Sequence, residues 1–119
     1  MNFRVNGIPV PKQSFRYARH GGYTDPRVTA WEECVAAVAR QACDKPLTGA
    51  VSVWLVFTMP NKRRVDCDNL SKNVLDSLRG IAYADDCQVL HLEIDKRVDA
   101  HNPGVDVTVE PYRIVLEDL

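Results

Sequence analysis

No apolar run among the 119 residues approaches the roughly 20 positions that span a bilayer, so a helical membrane protein is excluded. The N-terminus alternates polar and apolar residues where a secretory leader would be continuously apolar, and no leader is expected. The four cysteines, Cys34, Cys43, Cys67 and Cys87, form no C-x-x-C pair, and the three histidines have no helical partner spacing. A zinc site is therefore not expected, and the thiols read as reduced groups of a cytoplasmic protein. Positive charge is not in excess either: 15 Lys+Arg stand against 16 Asp+Glu, a net charge of −1. That balance excludes a globally basic DNA binder and requires any nucleic-acid surface to be local. Internal repeats, low-complexity tracts and linkers are also missing, so residues 1–119 are expected to be one small domain.

What is present alternates between strand and helix patterns. Asn2 to Val10 alternates, with Phe3, Val5 and Ile8 on one face and Asn2, Arg4 and Asn6 on the other, which predicts a strand ended by Pro9 and Pro11. The next segment mixes cations, Lys12 to His20, with Phe15, Tyr17 and Tyr23. That composition suits a phosphate backbone and equally suits an ordinary surface loop. Thr29 to Glu32 has capping-box spacing, and Trp31, Val35, Val38 and Ala42 follow at helical intervals, predicting a helix over 30–43. Ala50 to Met59 is apolar at nearly every position and reads as a central strand covered on both faces.

A second helix is predicted from Asp68, as its cap, to about Arg79, with Leu70, Val74, Leu75 and Leu78 as its buried stripe and Gly80 as its stop. Residues 88–98 and Val105 to Glu110 alternate and read as an antiparallel pair of strands, with a short tail packed by Ile114, Val115 and Leu116. The expected architecture is α/β (α+β): a mixed four-stranded sheet with two helices in the order β-α-β-α-β-β.

The chemistry concentrates in Asn61–Leu78. Asp66 and Asp68 lie one residue apart between the basic run Lys62, Arg63, Arg64 and a helix, and Lys72 follows one turn later. Mg²⁺ takes oxygen ligands and keeps several waters, so two or three convergent carboxylates suffice to hold it beside a phosphate. Asp66, Asp68 and one of Asp85-Asp86 can supply them, with Lys72 offsetting charge on the phosphate and Asn69 orienting a ligand or water. This pattern points to metal-dependent cleavage of a phosphodiester.

Each residue also has a plain structural reading. Asp68 can cap the helix, Asp66 can pair with Arg63 or Arg64, Asp68 and Lys72 can form an i,i+4 ion pair, and Asp85-Asp86 can cap a turn. Geometry sharpens the choice, since a helix of a dozen residues rises about 18 Å between the two acidic pairs. Either residues 80–86 return beside the helix and the third strand runs antiparallel to the second, or the second acidic pair comes from the other subunit of a dimer.

The combination Met59-Pro60, the basic run, Asp66-x-Asp68-Asn69-Leu70-x-Lys72, Asp76-x-Leu78 and Asp85-Asp86-x-Gln88-Val89 resembles the RusA-type Holliday junction resolvases. The likeness extends loosely to the N-terminal Pro-rich and Arg/Tyr/Arg/His loop. It implies a homodimeric endonuclease, dependent on Mg²⁺ with Mn²⁺ as substitute, that binds four-way DNA junctions and makes paired symmetric nicks. By position it implies Asp66, Asp68 and Asp86 as metal ligands, Lys72 as the essential lysine, and Lys62, Arg63, Arg64, Arg16 and Arg19 as DNA contacts. Two other functions fit the same residues: a nuclease preferring flaps or single strands, and a branched-DNA-binding module of prophage origin with weak or no activity.

Overall fold

A computed structural model describes residues 1–12 and 25–113. Four strands form one mixed sheet: β1 (Asn2–Asn6), β2 (Val51–Met59), β3 (Val89–Val98) and β4 (Gly104–Pro111), in the spatial order β1-β4-β2-β3. Two helices, α1 (Pro26–Ala42) and α2 (Cys67–Ser77), complete the expected order. The core joins one face of the sheet to both helices. It contains Val5 of β1, the odd-numbered residues Val51 to Met59 of β2 and Val105, Val107 and Val109 of β4, against Trp31, Val35 and Ala39 of α1 and Leu70 and Val74 of α2.

Several element boundaries differ from the pattern reading for local reasons. β1 stops at Asn6 and Ile8 is 59% exposed, because Gly7 takes a positive φ of 129° that turns the chain out of the sheet. The cap of α1 lies four residues before Thr29: Asp25 accepts the Arg27 amide at 2.9 Å and Pro26 occupies the first turn, where its missing N–H costs nothing. The β2 strand is central, as its composition predicts, but among the described residues helices cover only one of its faces. On the other, Trp54 is half-buried and meets the His91 ring at 5.5 Å between centroids.

The larger correction is topological. The last two strands are not a hairpin pair: β4 lies antiparallel between β1 and β2, and β3 lies on the far side of β2, parallel to it. α2 is then the crossover of a β-α-β unit, the connection that parallel neighbours require. The β4 strand enters against β1 at Gly104, where a Cβ would stand 2.5 Å from the Val5 carbonyl oxygen, so only glycine fits that approach. After α2 the chain turns at Gly80, with a φ of 79°, whose amide bonds to the Tyr83 carbonyl at 2.7 Å. The buried Tyr83 ring then fastens this turn to the helix, its hydroxyl donating to the Leu75 carbonyl at 2.7 Å. The predicted tail packing by Ile114, Val115 and Leu116 lies outside the described residues. None of the described helices is long and apolar enough to cross a membrane.

Candidate active site

At the C-terminal end of β2 the chain leaves the sheet through residues 60–65 and enters α2. Asp66, not Asp68, occupies the cap position, with extended φ −71° and ψ 133°, and its carbonyl accepts the Leu70 amide at 3.1 Å. Its side chain, however, makes no capping bond. Asp68 stands in the first turn, where the helix dipole favours a negative charge, and one of its oxygens accepts the Asn69 amide at 3.1 Å. Both carboxylates are exposed, and among the described residues neither forms an ion pair. The structural duties open to these acids, pairing with Arg63 or Arg64 and with Lys72, are therefore left undone. Two exposed acidic groups thus stand at one helix start, beside the exposed Lys62, Arg63 and Arg64.

Lys72 is exposed one turn along α2 and pairs with Asp76 at 3.6 Å. Asp76 also meets Lys12 at 3.2 Å, and Lys12 reaches Glu32 of α1 at the same distance. Burial alone would lower the pKa of the Lys12 ammonium, but its bonds to Asp76 and Glu32 outweigh that and hold it above its ordinary value. The backbone follows suit: the Lys12 amide donates to the Asn69 carbonyl at 2.9 Å, and the buried Asn73 amide donates to the Val10 carbonyl at 2.8 Å. The base of the N-terminal basic segment is thus fastened to α2 beside Asp68. Arg16 and Arg19, expected as DNA contacts, lie outside the described residues.

The second acidic pair sits elsewhere. Asp85 caps the short 3-10 turn Asp86–Gln88 in a reciprocal capping box, with Gln88 bonding back to the Asp85 amide at 3.0 Å. The Asp85 carboxyl is held below its ordinary range, first by its interaction with the adjoining Asp86 side chain and then by the Cys87 amide and the nearby Arg79. Asp85 thus has the turn-capping role, and Asp86 is left half-buried beside it. Because β2 and β3 are parallel, with Val51 beside Val89 and Met59 beside Val98, this turn lies at the opposite end of the sheet from Asp66. The eleven residues of α2, about 16 Å of rise, lie between. No group of three or more metal-binding side chains forms among the described residues. A single chain therefore does not bring Asp86 to Asp66 and Asp68, which removes the first of the two geometric alternatives.

The same parallel register brings in two residues that the sequence pattern passed over. Lys96 and Arg97 pair with Phe57 and Thr58 near the C-terminal end of β2, so both arrive beside the loop that carries Lys62 to Asp66. The Lys96 ammonium donates to the Val65 carbonyl at 2.6 Å. The clue in the sequence was the strand-helix-strand spacing itself, which favours a parallel crossover. A cleft of about 1040 Å³ opens on another side of this loop, walled by Pro9, Pro11, Trp31, Met59, Arg63 and Val65. Asp66 and Asp68 are not among its walls.

Comparison with known proteins follows the same lines. Residues 6–110 match the family model described as Endodeoxyribonuclease RusA. Among curated proteins, the chain is 27% identical over 114 residues to a crossover junction endodeoxyribonuclease RusA of Aquifex aeolicus, covering 92% of this chain and 90% of that one. It is 28% identical over 114 residues to the protein of the same name in Escherichia coli K12, with 92% and 95% covered.

Proposed function

The chain belongs to the RusA family of endodeoxyribonucleases, and from that premise we propose that it resolves four-way DNA junctions by metal-dependent hydrolysis, making paired symmetric nicks as a homodimer. The observation that carries this reading is the pair of exposed carboxylates, Asp66 and Asp68, without ion pairs among the described residues, at the start of α2 beside three exposed cations. Their donor chemistry fits a hard divalent ion such as Mg²⁺, with Mn²⁺ as a substitute. Held by Asp66 and Asp68, such an ion would supply Lewis-acid chemistry at the phosphate and toward the attacking water. Within the chain, Asp66 and Asp68 orient that site, Lys72 sits one turn away to offset charge on the phosphate, and Lys62, Arg63, Arg64 and Arg97 hold the DNA backbone. Four free cysteines agree with action in the reducing cytoplasm.

Asp86 enters this site from the second subunit. β3 is an edge strand, and Leu90, Leu92 and Val98 on it are 63%, 38% and 48% exposed. Two such edges paired antiparallel about a twofold axis set the C-terminal end of one β3, beside the Asp66 loop, against the N-terminal end of the other. The second end follows directly on Asp86. The twofold also places two equivalent sites for the two strands of a roughly twofold junction.

The test is Asp68→Asn, which removes a metal-binding charge and no cation. Nicking of a four-way junction is expected to fall at least 100-fold while junction affinity is kept. Unaltered cleavage by this variant refutes the site. Equal cleavage of four-way, flap and linear duplex substrates of matched sequence refutes the junction preference.

A further inference from the structure

Lys96 occupies a position that the alternation of β3 reserves for an apolar residue. It pairs in parallel register with Phe57, whose side chain is fully buried, so it points to the helix side of the sheet, as Leu92 and Ile94 do. The Lys96 side chain stays exposed at the rim of the sheet. Here it has a specific partner, since its ammonium donates to the Val65 carbonyl at 2.6 Å, a short hydrogen bond from a charged donor.

That contact falls at a particular point in the backbone. The Asp66 carbonyl is tied on its other side, accepting the Leu70 amide within α2. The carbonyls on either side of the Asp66 α-carbon are therefore both held, one by the sheet and one by the helix. With the backbone fixed at φ −71° and ψ 133°, the direction of the Asp66 side chain is fixed while its carboxylate makes no capping bond. Among the described residues no other side-chain hydrogen bond links the 61–66 loop to the sheet: the Arg63 amide bonds only to Asn61 beside it.

We propose that Lys96 is a positioning residue of the metal site: it clamps the Val65 carbonyl so that the Asp66 carboxylate is presented in the orientation that takes the divalent ion. The proposal rests on the metal-dependent reading above. Outer partners that orient a metal ligand are worth 10–100-fold in affinity or activity, and that is the size of effect expected here.

The experiment compares Lys96→Met, which keeps the aliphatic stem, with Lys96→Arg, which keeps a donor. Two readouts need no DNA: Mn²⁺ affinity by electron paramagnetic resonance, and hydrogen exchange of the 61–66 amides in metal-free protein. Lys96→Met is expected to weaken Mn²⁺ binding by about 10-fold or more, to speed exchange of the loop, and to recover most single-turnover nicking at high Mn²⁺. Lys96→Arg is expected to restore a large part of each. A Lys96→Met protein with wild-type Mn²⁺ affinity and wild-type loop exchange overturns the proposal. So does one whose only defect is weaker junction binding with a reduced salt slope, which would make Lys96 a phosphate contact. Wild-type protein that binds no Mn²⁺ overturns the metal reading and this proposal together. The exchange response to Lys96→Met, if retained, then shows that the clamp exists and the metal reading is what failed.

Discussion

Mixing two inactive variants separates a shared site from an internal one. Asp68→Asn and Asp86→Asn each disable both sites of their own homodimer under the proposed arrangement. In a mixed dimer, one site combines both substitutions, and the other draws Asp66 and Asp68 from the Asp86→Asn subunit and Asp86 from the Asp68→Asn subunit. That second site is wild type. Random exchange at equal concentrations makes about half of the dimers mixed, so roughly a quarter of all sites should recover. Each mixed dimer has one working site, so the product should be nicked junction with little paired resolution.

The structure gives the reason to expect this. Ligands of one Mg²⁺ lie about 2.1 Å from it, whereas the length of α2, about 16 Å, lies between the two acidic pairs of one chain. The assay is junction nicking on a denaturing gel after co-refolding, with subunit exchange verified by a size tag on one variant. A mixture as inactive as its parents, with exchange demonstrated, refutes the shared site.

Two further outcomes follow from particular contacts. Arg97→Gln should weaken junction binding and lower the log-log salt slope by about one, because the residue reaches the end of the sheet that carries Lys62 to Arg64 without holding any proposed metal ligand; an unchanged slope removes it from the proposed interface. Lys12→Met should cost about 0.5–1 kcal/mol of stability near neutral pH, a partly exposed bridge between α1 and α2 being worth no more. Since the folded pKa of Lys12 is raised, its contribution is complete below the ordinary value of 10.5 and is lost as pH rises through the folded value. The gap between variant and wild type in urea melts should therefore close only in strong alkali, and a constant gap there would rule out the ion pairs as its source.

The strands were readable where one face is buried and the other wet, as in the alternation of Val105, Val107 and Val109. The acidic turn and its basic neighbours were readable because the motif is contiguous. What sequence spacing could not give was strand order. Alternation in β3 and β4 is the same whether they pair with each other or flank β2, and only the packing of α2 over the sheet decides it. The Thr29 box was outweighed by Asp25-Pro26, a stronger start that the helical spacing of the apolar residues does not mark. Asp86 was identified by its motif, yet its distance from Asp66 depends on the direction of β3, a property of the whole sheet. Lys96 was missed for the same reason, since its partner is 31 residues away.

The sheet surface turned away from the helices carries Glu93, Asp95, Asp106 and Glu110, with Arg4 spent on Asp106 at 2.7 Å. Most charges described on that face are acidic, while Lys62, Arg63, Arg64, Lys96 and Arg97 gather near the C-terminal end of β2. Under the proposed function, DNA approaching the acidic face would be repelled and DNA approaching the basic end drawn in, so the uneven charge would act as a rudder during encounter. A small nuclease need not be basic as a whole to meet its polyanion the right way round.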